Sequence, residues 1–230
     1  MKKIGIIGGL SAESTIEYYK IILKEYNELK GGTASPLLII ESLDLEEVSN
    51  LVADNKWDEV IQIILQSAQN LEKTGAGVII IATNTIHKIF DKIKESIVTP
   101  MISIIDATAE VIKSQGLRKI GLLGTIFTIQ SDFYQKALLK HGLETIVPNQ
   151  EDQEYVNKII FDELVHHILK TESKIGYLEV IKRLQEKGAE GVILGCTEIP
   201  LLIKQEDSSI PVFDTTTIHA LAALKYALNY

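Results

Sequence analysis

The segment KIGIIGG, residues 3–9, opens a pattern that the chain repeats, because KIGLLGT occupies residues 119–125, 116 positions later. Each copy is a short apolar run that ends in glycine where a polar stretch begins, which reads as a strand leading through a tight turn into a helix. A second pair lies downstream of each: IIIATNTIH at 79–87 and VILGCTEIP at 192–200. The dipeptide GA precedes both, at 75–76 and at 188–189, and Thr83 and Cys196 stand at the same place in the two copies, 113 positions apart. Any one such echo is generic for parallel α/β chains. Their shared order points to two homologous halves.

The rest of the chain alternates in the same way. Strands are expected at Lys3 to Gly8, Leu37 to Ser42, Val78 to Ala82, Met101 to Ile104, Ile120 to Gly124, Thr145 to Val147, Val192 to Gly195 and Val212 to Phe213. Amphipathic helices are expected at Ser14 to Lys30, Trp57 to Thr74, Ile86 to Lys94, Ala107 to Gln115, Ser131 to His141, Glu151 to Leu169, Tyr177 to Lys187 and Thr217 to Leu228. Strands apolar on both faces and alternating with helices make parallel sheets covered on both sides, so the fold class is α/β. A third echo, TPMISIIDAT at 99–108 and IPVFDTT at 210–216, marks the expected crossings between halves. The expected domains are 1–98 plus 210–230 and 99–209.

Composition narrows the function. The 230 residues are 46% hydrophobic and 23% charged, with a formal net charge of −8; the pI near 5.2 and mean hydropathy of +0.14 suit a dissolved, cytoplasmic protein. No basic patch is visible, which argues against nucleic acid or an anionic membrane as partner. Gly8 and Gly9 interrupt the N-terminal apolar run, so it reads as a strand rather than a signal peptide, and no apolar run approaches the ~18 residues of a membrane span. One cysteine cannot make an internal disulfide or a multi-cysteine zinc site. The histidines His87, His166, His167 and His219 show no ligand spacing and read as surface or structural, so no metal is expected.

In parallel sheets ligands gather beyond the carboxyl ends of the strands, where helix N-termini offer free N–H groups to an anion. The polar strand exits GGLSAEST, ATNT, GTIFT and GCTE all fall there. Neither a GxGxxG fingerprint nor a GxxxxGK[ST] loop is present, so a small carboxylate is favoured over a nucleotide.

Taken together and in order, IGIIGGLSAEST from Ile4, TNT at 83–85, LLGT with Thr128 beyond it, GCTEI at 195–199 and PVFDTT at 211–216 resemble the aspartate/glutamate racemase family over almost the full chain. The resemblance implies two similar flavodoxin-like domains related by a pseudo-twofold axis, an active site in the cleft between them, catalysis without a cofactor, an amino-acid substrate and a homodimer. In typical members a cysteine follows each of the two corresponding strands, and the pair flanks the substrate α-carbon. This chain keeps Cys196 and has Thr83 at the other place. The resemblance also assigns Asn84, Thr85, Thr125, Thr128 and Thr197 to the substrate's carboxylate and amino group, with Ser11 and the Gly8–Gly9 turn beside them. A tight strand-to-helix turn is the competing reading of Gly8 and Gly9, and helix capping that of the threonines.

Racemisation takes the α-proton from one face and returns a proton to the other, so one group must be a base while its opposite is an acid. Cysteine suits both roles, with a reference pKa of about 8.5 that a helix N-terminus is expected to lower. A threonine hydroxyl can donate or relay a proton but is a poor alkoxide source without a base beside it. The expectation is therefore an asymmetric enzyme in which Cys196 deprotonates one enantiomer, the L-form by resemblance, and Thr83 or a water it holds protonates the opposite face. Glu198 and Asp214 read either as orienting a thiol or as capping a helix, with capping slightly favoured; Trp57 and Tyr18 read as packing. Aspartate-selective members often carry an arginine after the second strand. SLDLEEVSNLVADNKW offers only Lys56, so Lys158 becomes the candidate for a distal carboxylate. Two alternatives remain: a single-cysteine decarboxylase of arylmalonate type, and a carboxylate-binding module without catalysis.

Overall fold

The computed structural model describes residues 1–229. Among them β1 (Ile4–Gly8), β2 (Leu38–Ser42) and β3 (Val78–Ile81) form one parallel sheet in the order β2-β1-β3. The second parallel sheet holds β4 (Lys119–Leu123), β5 (Glu144–Ile146), β6 (Gly191–Leu194) and β7 (Val212–Asp214), in the order β5-β4-β6-β7. The α/β class and paired parallel sheets read from the sequence are present. β1, β3 and β6 are buried along their whole length, as strands with helices on both faces must be.

The repeat is visible bond by bond. β1 pairs β3 with Ile7 opposite Ile81, and β4 pairs β6 with Leu123 opposite Leu194. One residue further on, the Ala82 N–H donates to Ile7 O at 2.9 Å, and the Gly195 N–H donates to Leu123 O at 2.7 Å. Thr83 and Cys196 each follow the residue that closes its sheet, so they hold equivalent positions in the two halves.

Two compact units result, Met1–Ala107 with the stretch from Thr216 onward, and Thr108–Thr215. Both crossings lie further along than the 98/99 and 209/210 boundaries expected from the sequence. Met101 bridges to Ile79 in parallel fashion, which keeps residues 99–107 with the first sheet. Val212, Phe213 and Asp214 pair with β6, which places the second crossing after the strand rather than before it.

Within the first unit the sheet has an apolar cluster on each face, as the two-residue period of a strand requires. Ile7, Ile79 and Ile81 pack with Val60, Ile64 and Leu71 of the helix Trp57–Lys73. Ile4, Ile6 and Ile80 pack with Tyr18 and Ile22 of the helix Ala12–Lys30 and with Ala223 and Leu224 of the helix Thr215–Leu228. In the second unit Leu123, Val192 and Leu194 share a cluster with Val156 and Tyr177.

Several elements differ from expectation. Met101 to Ile104 is a single bridge rather than a strand, because the helix Ile104–Ser114 begins at its end. The predicted helix from Ile86 is a 3-10 turn, Thr85–Ile89, followed by Phe90–Lys94. The helix expected to run to Leu169 ends at Asp162, and after a 3-10 turn His167 adopts the left-handed conformation at φ +56°. Asp44 starts an unexpected helix, Leu45–Ala53, by accepting from the Glu46 and Glu47 N–H groups.

Candidate functional site

In the first unit the β1 exit is a tight turn built around Gly9, whose φ is +78°. A Cβ there would lie 2.1 Å from Leu43 O, so only glycine fits. The Gly9 N–H donates to Thr15 Oγ1 at 2.8 Å, and the Thr15 hydroxyl in turn donates to Ser11 O at 3.0 Å. Ser11 is the N-cap of Ala12–Lys30, with its Oγ accepting from the Ser14 N–H at 3.3 Å. The polar groups of this exit therefore brace the turn and cap the helix, a role the sequence reading did not give to Ser11, which it placed beside the substrate.

Thr83 leaves β3 half-buried. Its N–H turns back to Ile81 O at 2.9 Å, and its carbonyl lies 2.7 Å from His87 Nδ1. Asn84 is buried and heads the 3-10 turn, where its carbonyl accepts the His87 N–H at 3.0 Å; Thr85 is half-buried behind it.

In the second unit two strand exits are drawn together by a pair of glycines. A Cβ on Gly195 would lie 2.8 Å from Leu123 O, so that position needs the missing side chain, and one on Gly124 would make a tight 3.2 Å contact with Gly195 O. Thr125 caps the short helix Ile126–Gln130 and accepts from the Thr128 N–H at 3.3 Å; the Thr128 hydroxyl, on a residue only 1% exposed, bonds to that of Thr125 at 3.2 Å. Asn157, on the helix Gln150–Asp162, accepts the Ile126 N–H through Oδ1 at 3.0 Å and so holds the loop from below. Its neighbour Lys158 is exposed, and the charge of Lys158, together with Lys170, helps to hold the Glu163 carboxyl below its ordinary range, where a hydrogen bond from Ser173 is the largest cause.

Cys196 lies half-buried against the apolar cluster of this unit. Its Sγ donates to Glu198 Oε2 at 3.0 Å, and the Thr197 hydroxyl donates to the same oxygen at 2.9 Å. Burial pushes the thiol well above its ordinary pKa, and the Glu198 charge and hydrogen bond add to that; the Glu198 and Thr197 N–H groups act in the opposite direction and are outweighed. The sequence led to the contrary expectation of a lowered thiol. The helix that follows, Ile199–Leu202, is four residues long, and Glu198 makes no side-chain capping bond to it. The preference for Glu198 as a helix cap is thus corrected: its carboxylate faces the thiol.

Of the histidines, His166 and His167 are exposed, whereas His87 and His219 are buried. Among the described residues no group of three or more His, Cys, Asp or Glu side chains is placed to hold a metal ion, and no helix is long and apolar enough to cross a membrane. Trp57 packs against the core of the first unit, with Lys88 Nζ 4.1 Å from its ring centre. Lys56 is held 3.1 Å from Asp54.

The two strand exits, one leading to Thr83 and the other to Cys196, lie within the part of the chain that matches a family model. Residues 7–223 match the model for Asp/Glu/hydantoin racemases. The chain belongs to this racemase family. The broad specificity amino-acid racemase RacX of Bacillus subtilis (strain 168) is 28% identical over 233 residues, 99% of each chain. Among solved structures, that of a candidate Asp/Glu racemase from Yersinia pestis superposes with a TM-score of 0.94 at 46% identity, over 99% of this chain and all of that one. An aspartate racemase homologue from Pyrococcus horikoshii OT3 gives 0.88 at 44% identity, over 99% and 100% of the two chains. The racemase family and the α/β fold with two parallel sheets are therefore as expected, and the similarity extends through both units of the chain.

Proposed function

We propose that this protein is an amino-acid racemase acting on aspartate or glutamate without a cofactor, with Cys196 as the base for the L-enantiomer and Thr83, or a water it holds, as the donor on the opposite face. The observation that carries the reading is the equivalence of Thr83 and Cys196 in two copies of one strand exit, in a chain of the racemase family. Asn84, Thr85, Thr125, Thr128, Thr197 and Ser11 are proposed to shape the polar loops around the substrate's carboxylate and amino group, and Lys158 to supply charge for the distal carboxylate.

The raised thiol sets the order of events. Cys196 rests protonated, with its proton directed at Glu198. To attack an L-substrate it first passes that proton to the carboxylate; the Cα–H bond then breaks, sulfur takes the proton, and the electron pair stays on the carbon and its carboxylate. Protonation from the Thr83 side gives the D-enantiomer. A D-to-L turnover uses Cys196 directly as the acid. A thiol with a high pKa is a strong base once ionised, at the expense of a small ionised fraction; the Glu198 charge contributes to keeping that fraction small, while its carboxylate stands as the nearby acceptor of the proton.

A standing proton donor also suits the second reading, a decarboxylase that protonates a carbanion once. The deciding experiment is incubation with L- and D-amino acids in heavy water, read by proton NMR, beside a carbon dioxide assay on a substituted malonate. Loss of the Cα–H signal from aspartate or glutamate, faster from the L-form, is expected. Carbon dioxide release without amino-acid exchange would replace the racemase by the decarboxylase, and calorimetric binding of aspartate without exchange would leave a binding module.

A further inference from the structure

Three hydrogen bonds in the first unit have a direction that their backbone partners fix, and a fourth follows from them. The Ile104 N–H can only donate, and it meets His87 Nε2 at 3.0 Å, so that nitrogen carries the lone pair. A neutral ring then has its proton on Nδ1, which donates to the Thr83 carbonyl at 2.7 Å. The Ile102 carbonyl can only accept, so the His219 nitrogen 2.9 Å away, Nε2, is the protonated one; His219 Nδ1 accordingly accepts from the Tyr18 hydroxyl at 2.8 Å. His87 stacks on Phe90, with centroids 5.1 Å apart and planes at 8°, and meets the edge of His219 at 5.7 Å. Tyr18 and His219 are completely buried and His87 is 5% exposed. Two pairs of oriented bonds, one through His219 and one through His87, are joined by the contact of the two rings and so link the core helix Ala12–Lys30 to the loop that carries Thr83. Burial keeps both rings neutral, with His87 near 3 and His219 near 4.

We propose that His87 is the positioning residue for Thr83: its Nδ1–H fixes the Thr83 peptide plane and so sets the angle at which the Thr83 hydroxyl, or a water on it, delivers a proton. The inference rests on the reading of Thr83 as the opposite-face group. In that step the O–H bond breaks, the proton bonds to Cα using the carbanion's electron pair, and the oxygen recovers a proton from solvent. Only this half-reaction depends on His87; return of a proton from Cys196 does not.

Substitution can separate the two ring nitrogens. In His87→Asn the amide nitrogen lies where Nδ1 was and keeps the donor to Thr83 O; in His87→Gln the amide reaches the Nε2 position and keeps only the partner of the Ile104 N–H. With L-aspartate and L-glutamate in heavy water, deuterated D-product reports protonation from the Thr83 side, and deuterium in recovered L-substrate reports protonation by Cys196. The ratio of D-product to labelled L is expected to fall about tenfold or more in His87→Gln and to stay near the parent value in His87→Asn, since misplacement of a reacting group by a fraction of an ångström carries penalties of that order. Equal ratios in the two variants, whether both intact or both lowered, would overturn the inference. Thr83→Val is the control: an unchanged ratio there removes the role of Thr83 and with it that of His87, whereas a lowered ratio with intact His87 variants removes His87 alone. Nitrogen-15 NMR of the unaltered chain supplies a readout independent of turnover and of variant folding. An Nδ1–H tautomer is expected for His87, and an Nε2–H tautomer or an imidazolium at neutral pH would overturn it.

Discussion

The Cys196 thiol lies 3.0 Å from Glu198 Oε2 and donates to a carboxylate that also accepts the Thr197 hydroxyl at 2.9 Å. The pair has two opposing effects that one substitution can separate. The Glu198 charge opposes ionisation of the sulfur, yet the carboxylate is also the acceptor for its proton.

Glu198→Gln should therefore speed iodoacetamide alkylation of Cys196 at pH 8 and slow exchange of the L-substrate's α-hydrogen. Each pKa unit by which the thiol falls raises its ionised fraction about tenfold, while loss of a positioned base costs about 10²-fold or more. Parallel changes in alkylation and exchange, in either direction, would show that Glu198 does not take the proton.

Thr83→Cys should raise the slower of the two enantiomers' exchange rates, about tenfold or more, because a thiol ionises far more readily than a hydroxyl and supplies the base that the first strand exit lacks. The faster enantiomer should change less. Stopped mixing of each pure enantiomer in heavy water measures both rates, and equal acceleration of the two would contradict the assigned asymmetry.

Stability should decline on mild acidification. His87 and His219 have folded pKa values lowered from 6.5 to about 3 and about 4, chiefly by burial. Below pH 6.5 the unfolded chain binds protons that the folded chain refuses, so stability is intact above that pH and is lost as pH falls towards the folded values. The steepest slope is about 2.7 kcal/mol per pH unit, from two protons at about 1.36 kcal/mol each. Urea midpoints at pH 7, 6 and 5 test this in a window above most carboxylate titration. A midpoint constant across it would mean the rings are not buried as neutral groups.

Glycine substitutions should separate backbone strain from steric overlap. Gly116, at φ +76°, has nothing within 4 Å of an added Cβ, so Gly116→Ala should cost about 1 kcal/mol through its left-handed backbone alone. Gly9→Ala adds a clash with Leu43 O at 2.1 Å to a similar φ and should cost several times more. Gly195→Ala, without positive φ, should cost about 1–3 kcal/mol by forcing β6 from β4, and should also disturb the alkylation rate of Cys196 beside it. Chemical denaturation of the three variants gives the order, and a Gly9→Ala no worse than Gly116→Ala would refute the close approach.

Much of the fold was legible because buried parallel strands are written locally, as short apolar runs ending in glycine. Ile7, Ile81, Leu123 and Leu194 could be matched across the repeat before any contact was known, and their sheet pairings follow that match. The candidate site could be proposed from the sequence as a set of strand exits. Which polar side chain faces which was not: Glu198 follows Cys196 by two residues in a pattern equally suited to capping, and only the brevity of Ile199–Leu202, with the resulting side-chain direction, separates the alternatives. Asn157 sits on a helix 31 residues from the N–H that it accepts, beyond the reach of any local spacing.

The sequence by itself determined the class of fold, the duplication and the odd pairing of Thr83 with Cys196, since each is a matter of residue type and order along the chain. Tertiary structure alone decided the domain crossings, the tautomers of His87 and His219, and the upward shift of the Cys196 thiol. Those depend on desolvation and on partners far apart in sequence: His219 meets Ile102 across 117 positions, and a pKa is set by what surrounds a group in space rather than by what precedes it in the chain.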